Sequence, residues 1–184
     1  MPFRCCHVLI ADDDPAVALY LGRLMESMGF DYDIAPTVGA AITKMPIADI
    51  AIVDLKMNGD TGGEYSGNLI IDRWLETHRG PICVLSAYMT PDLNRDLLER
   101  GVWNALAKPA GNPAIRTLMM RYGTIVIGTI KQAKDQKELD DLRTREKAVT
   151  AANDRHRLAA IALAAVLLGS KIVPWILTLL GVAI

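Results

Sequence analysis

Aromatic side chains and cysteines are scarce in this chain. Two phenylalanines, three tryptophans and five tyrosines make up 5% of 184 residues. Most apolar bulk must therefore come from Ala, Val, Ile, Leu and Met. Three cysteines, Cys5, Cys6 and Cys83, cannot close an even disulfide framework and read as reduced thiols of a cytosolic core. Net charge is nearly absent, at −1, and gives no case for nucleic-acid binding. No helix-turn-helix pattern fits the C-terminal part, so no nucleic-acid partner is expected. The opening MPFRCCHVLIADDD turns acidic too soon for a signal peptide, which predicts a first domain that is not exported.

The near-zero total hides an asymmetry. Residues 1–122 carry 11 Lys/Arg against 15 Asp/Glu, while residues 123–184 carry 9 against 6. In the acidic part, apolar runs alternate with helical patterns. Strands are expected at His7–Ala11, Tyr32–Ala35, Ile50–Val53, Ile82–Leu85 and Ala105–Ala107. Helices are expected at Pro15–Met28, Val38–Met45, Asn68–Thr77 and Pro91–Arg100, with a fifth starting at Asn112–Pro113. Gly29, Pro36, Pro46, Gly80–Pro81 and Gly101 punctuate them. That order predicts an α/β fold, a doubly wound five-stranded parallel sheet with right-handed crossovers.

In such sheets function gathers at the carboxyl ends of the strands. Asp12 and Asp13 follow the first strand, Asp54 the third, Ser86 the fourth and Lys108 the fifth. Three acids in one crevice need a cation, and oxygen-only ligands suit Mg²⁺. A hydroxyl and an ammonium beside it suit a phosphoryl group. Each residue alone would be an ordinary loop or strand terminus; the signal is joint.

Through LIADDDPAV, AIVDLKM, CVLSAYM and ALAKPA, the chain resembles a response-regulator receiver domain of the two-component signalling family. The resemblance implies a flavodoxin-like receiver over about residues 5–122. It implies Asp54 as phosphoacceptor, with Mg²⁺ held by Asp12, Asp13, Asp54 and the Lys56 carbonyl. Ser86 and Lys108 would bind phosphoryl oxygens, and the small Ala87 would leave the approach open. The donor would be a histidine kinase or histidine phosphotransfer protein, and the downstream partner another protein. The domain would not be an enzyme beyond its own phosphorylation and dephosphorylation.

Three positions depart from the family pattern. The aromatic switch residue is replaced by Ala105, with Trp103 two residues earlier; Asn58 stands where proline is common; and Lys56 borders the phosphoryl site. The loop Asn58–Gly67 is glycine-rich and long. Two alternatives follow from the residues: a phosphorylation-independent pseudo-receiver acting as an interaction module, and an Mg²⁺-dependent phosphohydrolase using the Asp12 and Asp14 spacing.

Three parts are expected: a receiver at 1–122, a helical connector at 123–157 and a hydrophobic segment at 158–184. Ile130–Arg157 lacks Pro and Gly and is charged, which predicts a helix. Leu139, Leu142 and Val149 fit a seam, but Asp135, Glu146 and Asn153 interrupt it, so a solvated connector is preferred to a dimerising coiled coil. Leu158–Ile184 has 27 residues and one charge, Lys171. It reads as a membrane anchor holding the receiver at the inner face of the cytoplasmic membrane, with Arg155 and Arg157 on the entry side. Gly169–Ser170 and Pro174 could instead break it into a re-entrant hairpin or an oligomerisation element, and Trp175 could anchor at the interface or simply pack. His156 lacks the pattern of a phosphorelay histidine, and His7 and His78 lack metal-ligand spacing.

Overall fold

The structure, a computed structural model, describes residues 6–57, 66–77 and 80–168. Five strands, β1 (His7–Ala11), β2 (Asp31–Ala35), β3 (Ile50–Asp54), β4 (Ile82–Ser86) and β5 (Asn104–Ala107), form one sheet in the order β2-β1-β3-β4-β5. All neighbours are parallel. Between them lie α1 (Pro15–Met28), α2 (Val38–Lys44) with a short 3₁₀ turn at Met45–Ile47, α3 (Gly67–Thr77) and α4 (Pro91–Glu99). The fifth helix, α5, runs Asn112–Leu168. This is the flavodoxin-like doubly wound order, whose switch point falls between β1 and β3.

Strand alternation sends neighbouring side chains to opposite faces. Leu9, Ala11, Ala51, Val53, Ile82 and Val84 pack with α2, α3 and α4 through Val38, Ala41, Ile70, Trp74 and Leu97. Val8, Ile10, Ile50, Ile52, Cys83 and Leu85 pack with α1 and α5 through Leu21, Met25, Ile115, Met119 and Tyr122. The central strands β3 and β4 are buried along their whole length, which explains why they read as uninterrupted apolar runs. Cys6 and Cys83 are buried free thiols, and burial pushes the Cys83 thiol up to about 12.

Local chemistry sets the boundaries. Thr37 and Thr90 cap α2 and α4 by accepting from Ala40 N–H and Leu93 N–H, each at 3.1 Å. Gly29 ends α1 in the left-handed region at φ 86, donating back to Glu26 and Met25 carbonyls. The helix α2 stops one residue earlier than expected because Pro46 admits only a tighter turn.

The chain forms two compact units, Met1–Ile130 and Lys131–Ile184. Val126 is still buried in the first. In the second, residues 131–160 of α5 are exposed throughout. Among the described residues, no helix is long and apolar enough to cross a membrane. The described part of the expected anchor, 158–168, falls short of the ~20 residues a span needs. Residues 169–184, with Lys171, Pro174 and Trp175, lie outside the described residues, as do Cys5, His78 and positions 58–65 of the expected loop.

Candidate functional site

The acids and the lysine expected at the strand ends do come together, and Ser86 stands at the end of neighbouring β4. Asp12 leaves β1 with its N–H on the Ala35 carbonyl at 3.2 Å, and its side chain is only 2% exposed. Asp54 is the last residue of β3 and 8% exposed. One carboxylate oxygen each from Asp12, Asp13 and Asp54 lies within 4.8 Å of the others. Such a group is stable only with positive charge nearby.

Lys108 supplies that charge. Its Nζ reaches Asp12 Oδ2 at 2.7 Å and Asp54 Oδ2 at 2.9 Å. Its N–H bonds the Ser86 carbonyl at 2.9 Å, which fixes the end of β5 against β4. Burial disfavours the ammonium, but the hydrogen bonds and charges of Asp12 and Asp54 outweigh it and raise the Lys108 pKa. Burial pushes the Asp12 carboxyl above its usual range, and Lys108 offsets only part of that rise. An additional cation would therefore be favoured beside Asp12. The donor set, three carboxylates at the strand ends, fits a hard divalent ion.

Ser86 ends β4 fully buried, and its Oγ accepts the Tyr88 N–H at 3.1 Å. Ala87 is exposed and lines an apolar pocket of about 420 Å³ with Val17, Tyr20, Leu85, Lys108 and Pro109. The Lys56 N–H points back to Asp54 Oδ1 at 3.4 Å. Lys56 Nζ stands 4.9 Å from the centroid of the Tyr88 ring, so a cation–π contact joins the loops after β3 and β4. Tyr88 carried no signal in the sequence, because only the sheet order makes those loops neighbours.

Asp14 takes a different part from Asp12 and Asp13. It caps α1, accepting from Ala16 N–H at 2.8 Å and Val17 N–H at 3.4 Å, while its own N–H holds Asp12 Oδ1 at 3.0 Å. Asp before Pro15 is an N-cap signature that the sequence reading left unused. The Ser66 hydroxyl donates to the Met57 carbonyl and Gly67 N–H to the Leu55 carbonyl at 3.1 Å, which joins the end of the β3 loop to the start of α3.

The expected switch positions lie elsewhere. Ala105 is half-buried in β5. Trp103, just before β5, is 39% exposed and packs edge-to-face on Tyr122 with centroids 5.7 Å apart. Neither belongs to the charged cluster.

A family model described as the response regulator receiver domain matches residues 8–120. The chain is 27% identical over 124 residues to the sensor histidine kinase GacS of Pseudomonas protegens, covering 65% of this chain and 13% of that protein. It is 29% identical over 119 residues to the photosynthetic apparatus regulatory protein RegA of Rhodobacter capsulatus, covering 63% and 62%. The chain thus spans less than two thirds of either relative. In fold it is similar to a response regulator from Burkholderia pseudomallei solved with a phosphorylated aspartic acid, a calcium ion and citrate: TM-score 0.56, 24% identity, 67% of this chain and 72% of that one. With a matching model over more than half its length and a sheet order to agree, the chain belongs to the response regulator receiver domain family.

Proposed function

We propose that this chain is a phosphoacceptor receiver that takes a phosphoryl group onto Asp54 from a phosphohistidine of a histidine kinase or phosphotransfer protein. One observation carries the reading: Asp54 ends β3 inside a three-carboxylate cluster whose counter-charge, Lys108, touches both Asp12 and Asp54. A carboxylate oxygen of Asp54 attacks phosphorus, an O–P bond forms, the N–P bond breaks, and the donor imidazole keeps the electron pair and regains a proton.

Asp12, Asp13, Asp54 and the Lys56 carbonyl would hold Mg²⁺, which when bound neutralises charge on the transferring group. Lys108 orients a phosphoryl oxygen by its ammonium, and the Ser86 hydroxyl donates to another. Ala87 leaves the approach open. Turnover is confined to the chain's own phosphorylation and dephosphorylation, and the added charge biases the loop that begins at Ser86. Output goes by interaction with another protein.

The capping role of Asp14 counts against a phosphohydrolase built on Asp12 and Asp14, because that second carboxylate already serves two backbone N–H groups. The small Ala105 is the feature favouring a pseudo-receiver. Composition alone supports a tether of the cytoplasmic receiver to the inner membrane face through 158–184: 27 residues with one charge.

The test is incubation of the full chain, kept in mild detergent, with Mg²⁺ and acetyl phosphate, read by intact mass beside Asp54→Asn. A phosphate adduct confined to the parent is expected. No adduct on a folded, Mg²⁺-binding chain would favour the pseudo-receiver, and continuous release of phosphate without an adduct would favour the hydrolase.

A further inference from the structure

The second unit, Lys131–Ile184, presents a physical problem independent of phosphoryl transfer. Every residue of α5 from 131 to 160 is exposed. A helix that is polar over most of its circumference is stable alone in water only with a dense ladder of i,i+4 ion pairs. Among the described residues of this unit there is one ion pair, Arg143 to Asp140 at 3.6 Å, with a Gln136 to Asp140 hydrogen bond at 3.0 Å. Large apolar side chains nevertheless stand in water: Leu139, Leu142, Val149 and Leu163 are 43%, 54%, 69% and 61% exposed.

Those four residues share one seven-residue repeat, while Leu158 and Val166, 65% and 81% exposed, fall outside it. With Leu139 at position a, Leu142, Val149 and Leu163 all fall at d. The remaining seam positions between 139 and 163 are Glu146, Asn153, His156 and Ala160.

We propose that this seam is covered by the same seam of a second copy of the chain, parallel and in register. The polar positions and flanking charges choose that occupant. Asn153 at a meets its own counterpart only in a parallel, in-register pair, where the two amides satisfy each other. Glu138 at g then faces Arg143 at e of the other copy, and two-fold symmetry repeats the attraction. Glu146 at a, otherwise a like-charged pair, is bordered by Arg145 at g of the other copy. Three polar seam residues keep the pairing weak, so the dimer is reversible and concentration-dependent.

The experiment uses the full chain in mild detergent with Cys5→Ser, since Cys6 and Cys83 are buried. Sedimentation equilibrium should give a monomer–dimer equilibrium. Glu138→Arg should weaken it roughly three- to tenfold, and adding Arg143→Glu should restore it. Leu142→Cys should cross-link to itself on mild oxidation, whereas Thr144→Cys on the opposite face should not. A monomer overturns the proposal, as does a dimer indifferent to both Glu138→Arg and the Leu139→Lys/Leu142→Lys double variant, which would place the contact in the apolar tail or the receiver. Equal cross-linking at 142 and 144 overturns it too.

Discussion

Gly67 lies so close to the main chain of Asp54 that a β-carbon on it would stand 2.1 Å from the Asp54 carbonyl oxygen and 2.8 Å from Leu55 Cα. Both obstacles are backbone, so no side-chain rotation relieves them. Gly67→Ala should destabilise the receiver unit by about 3 kcal/mol, measured by urea unfolding. A loss below about 0.5 kcal/mol would mean that the start of α3 moves freely away from the end of β3.

Lys108→Met removes the only ammonium bridging Asp12 and Asp54 among the described residues. Three carboxylates then face one another with no internal counter-charge, and a loss of about 3 kcal/mol at neutral pH is expected. Added Mg²⁺ should raise the melting temperature of the variant more than that of the parent, since the ion replaces the missing charge. Equal Mg²⁺-induced shifts would show that Lys108 does not balance the cluster.

Asp14→Ala should cost about 1 kcal/mol through loss of the α1 cap, while phosphate labelling of Asp54 stays at the parental level. Intact mass and a thermal melt read the two effects separately. Lost labelling in a folded variant would move Asp14 into the reacting site.

Burial pushes the Tyr122 phenol from 10.0 up to about 12, with the Cys83 thiolate adding to the rise and the Asn104 amide hydrogen bond at 2.8 Å opposing it. Below pH 10 the phenol is protonated in both folded and unfolded chains, so its contribution to stability is complete. Between pH 10 and about 12 the unfolded chain loses the proton first and stability falls, by roughly 2–3 kcal/mol from this group. Tyr122→Phe should be less stable than the parent at pH 8 by about 1 kcal/mol, and the difference should shrink or reverse by pH 12. A constant difference across that range would refute the assignment.

Much of the receiver was legible because its signals are local. Apolar runs between breakers gave all five strands to within a residue, and Pro15–Met28 matched at both ends, since Pro15 and Gly29 mark them chemically. Asp12, Asp13, Asp54, Ser86 and Lys108 could be grouped because parallel strands place their carboxyl ends together. What escaped depends on the third dimension. The clash cone of Gly67 on Asp54, the Lys56–Tyr88 contact and the seating of Trp103 on Tyr122 join residues that no sequence period relates. The converse holds for residues 130–157 of α5, whose helicity is plain from their lack of Pro and Gly but whose exposed seam gains meaning only from what covers it.

Lys108 and Asp12 are 96 residues apart in the chain, and the lysine comes directly after the last strand to be made. During synthesis the acids of β1 and β3 emerge well before the lysine that bridges Asp12 and Asp54. A nascent chain that stops short of β5 would carry the whole carboxylate cluster as an unrelieved defect, easily opened and exposed to proteases. Completion of the sheet is thus also the moment at which the acids become affordable, and a truncated product would be disposed of rather than mistaken for a finished receiver.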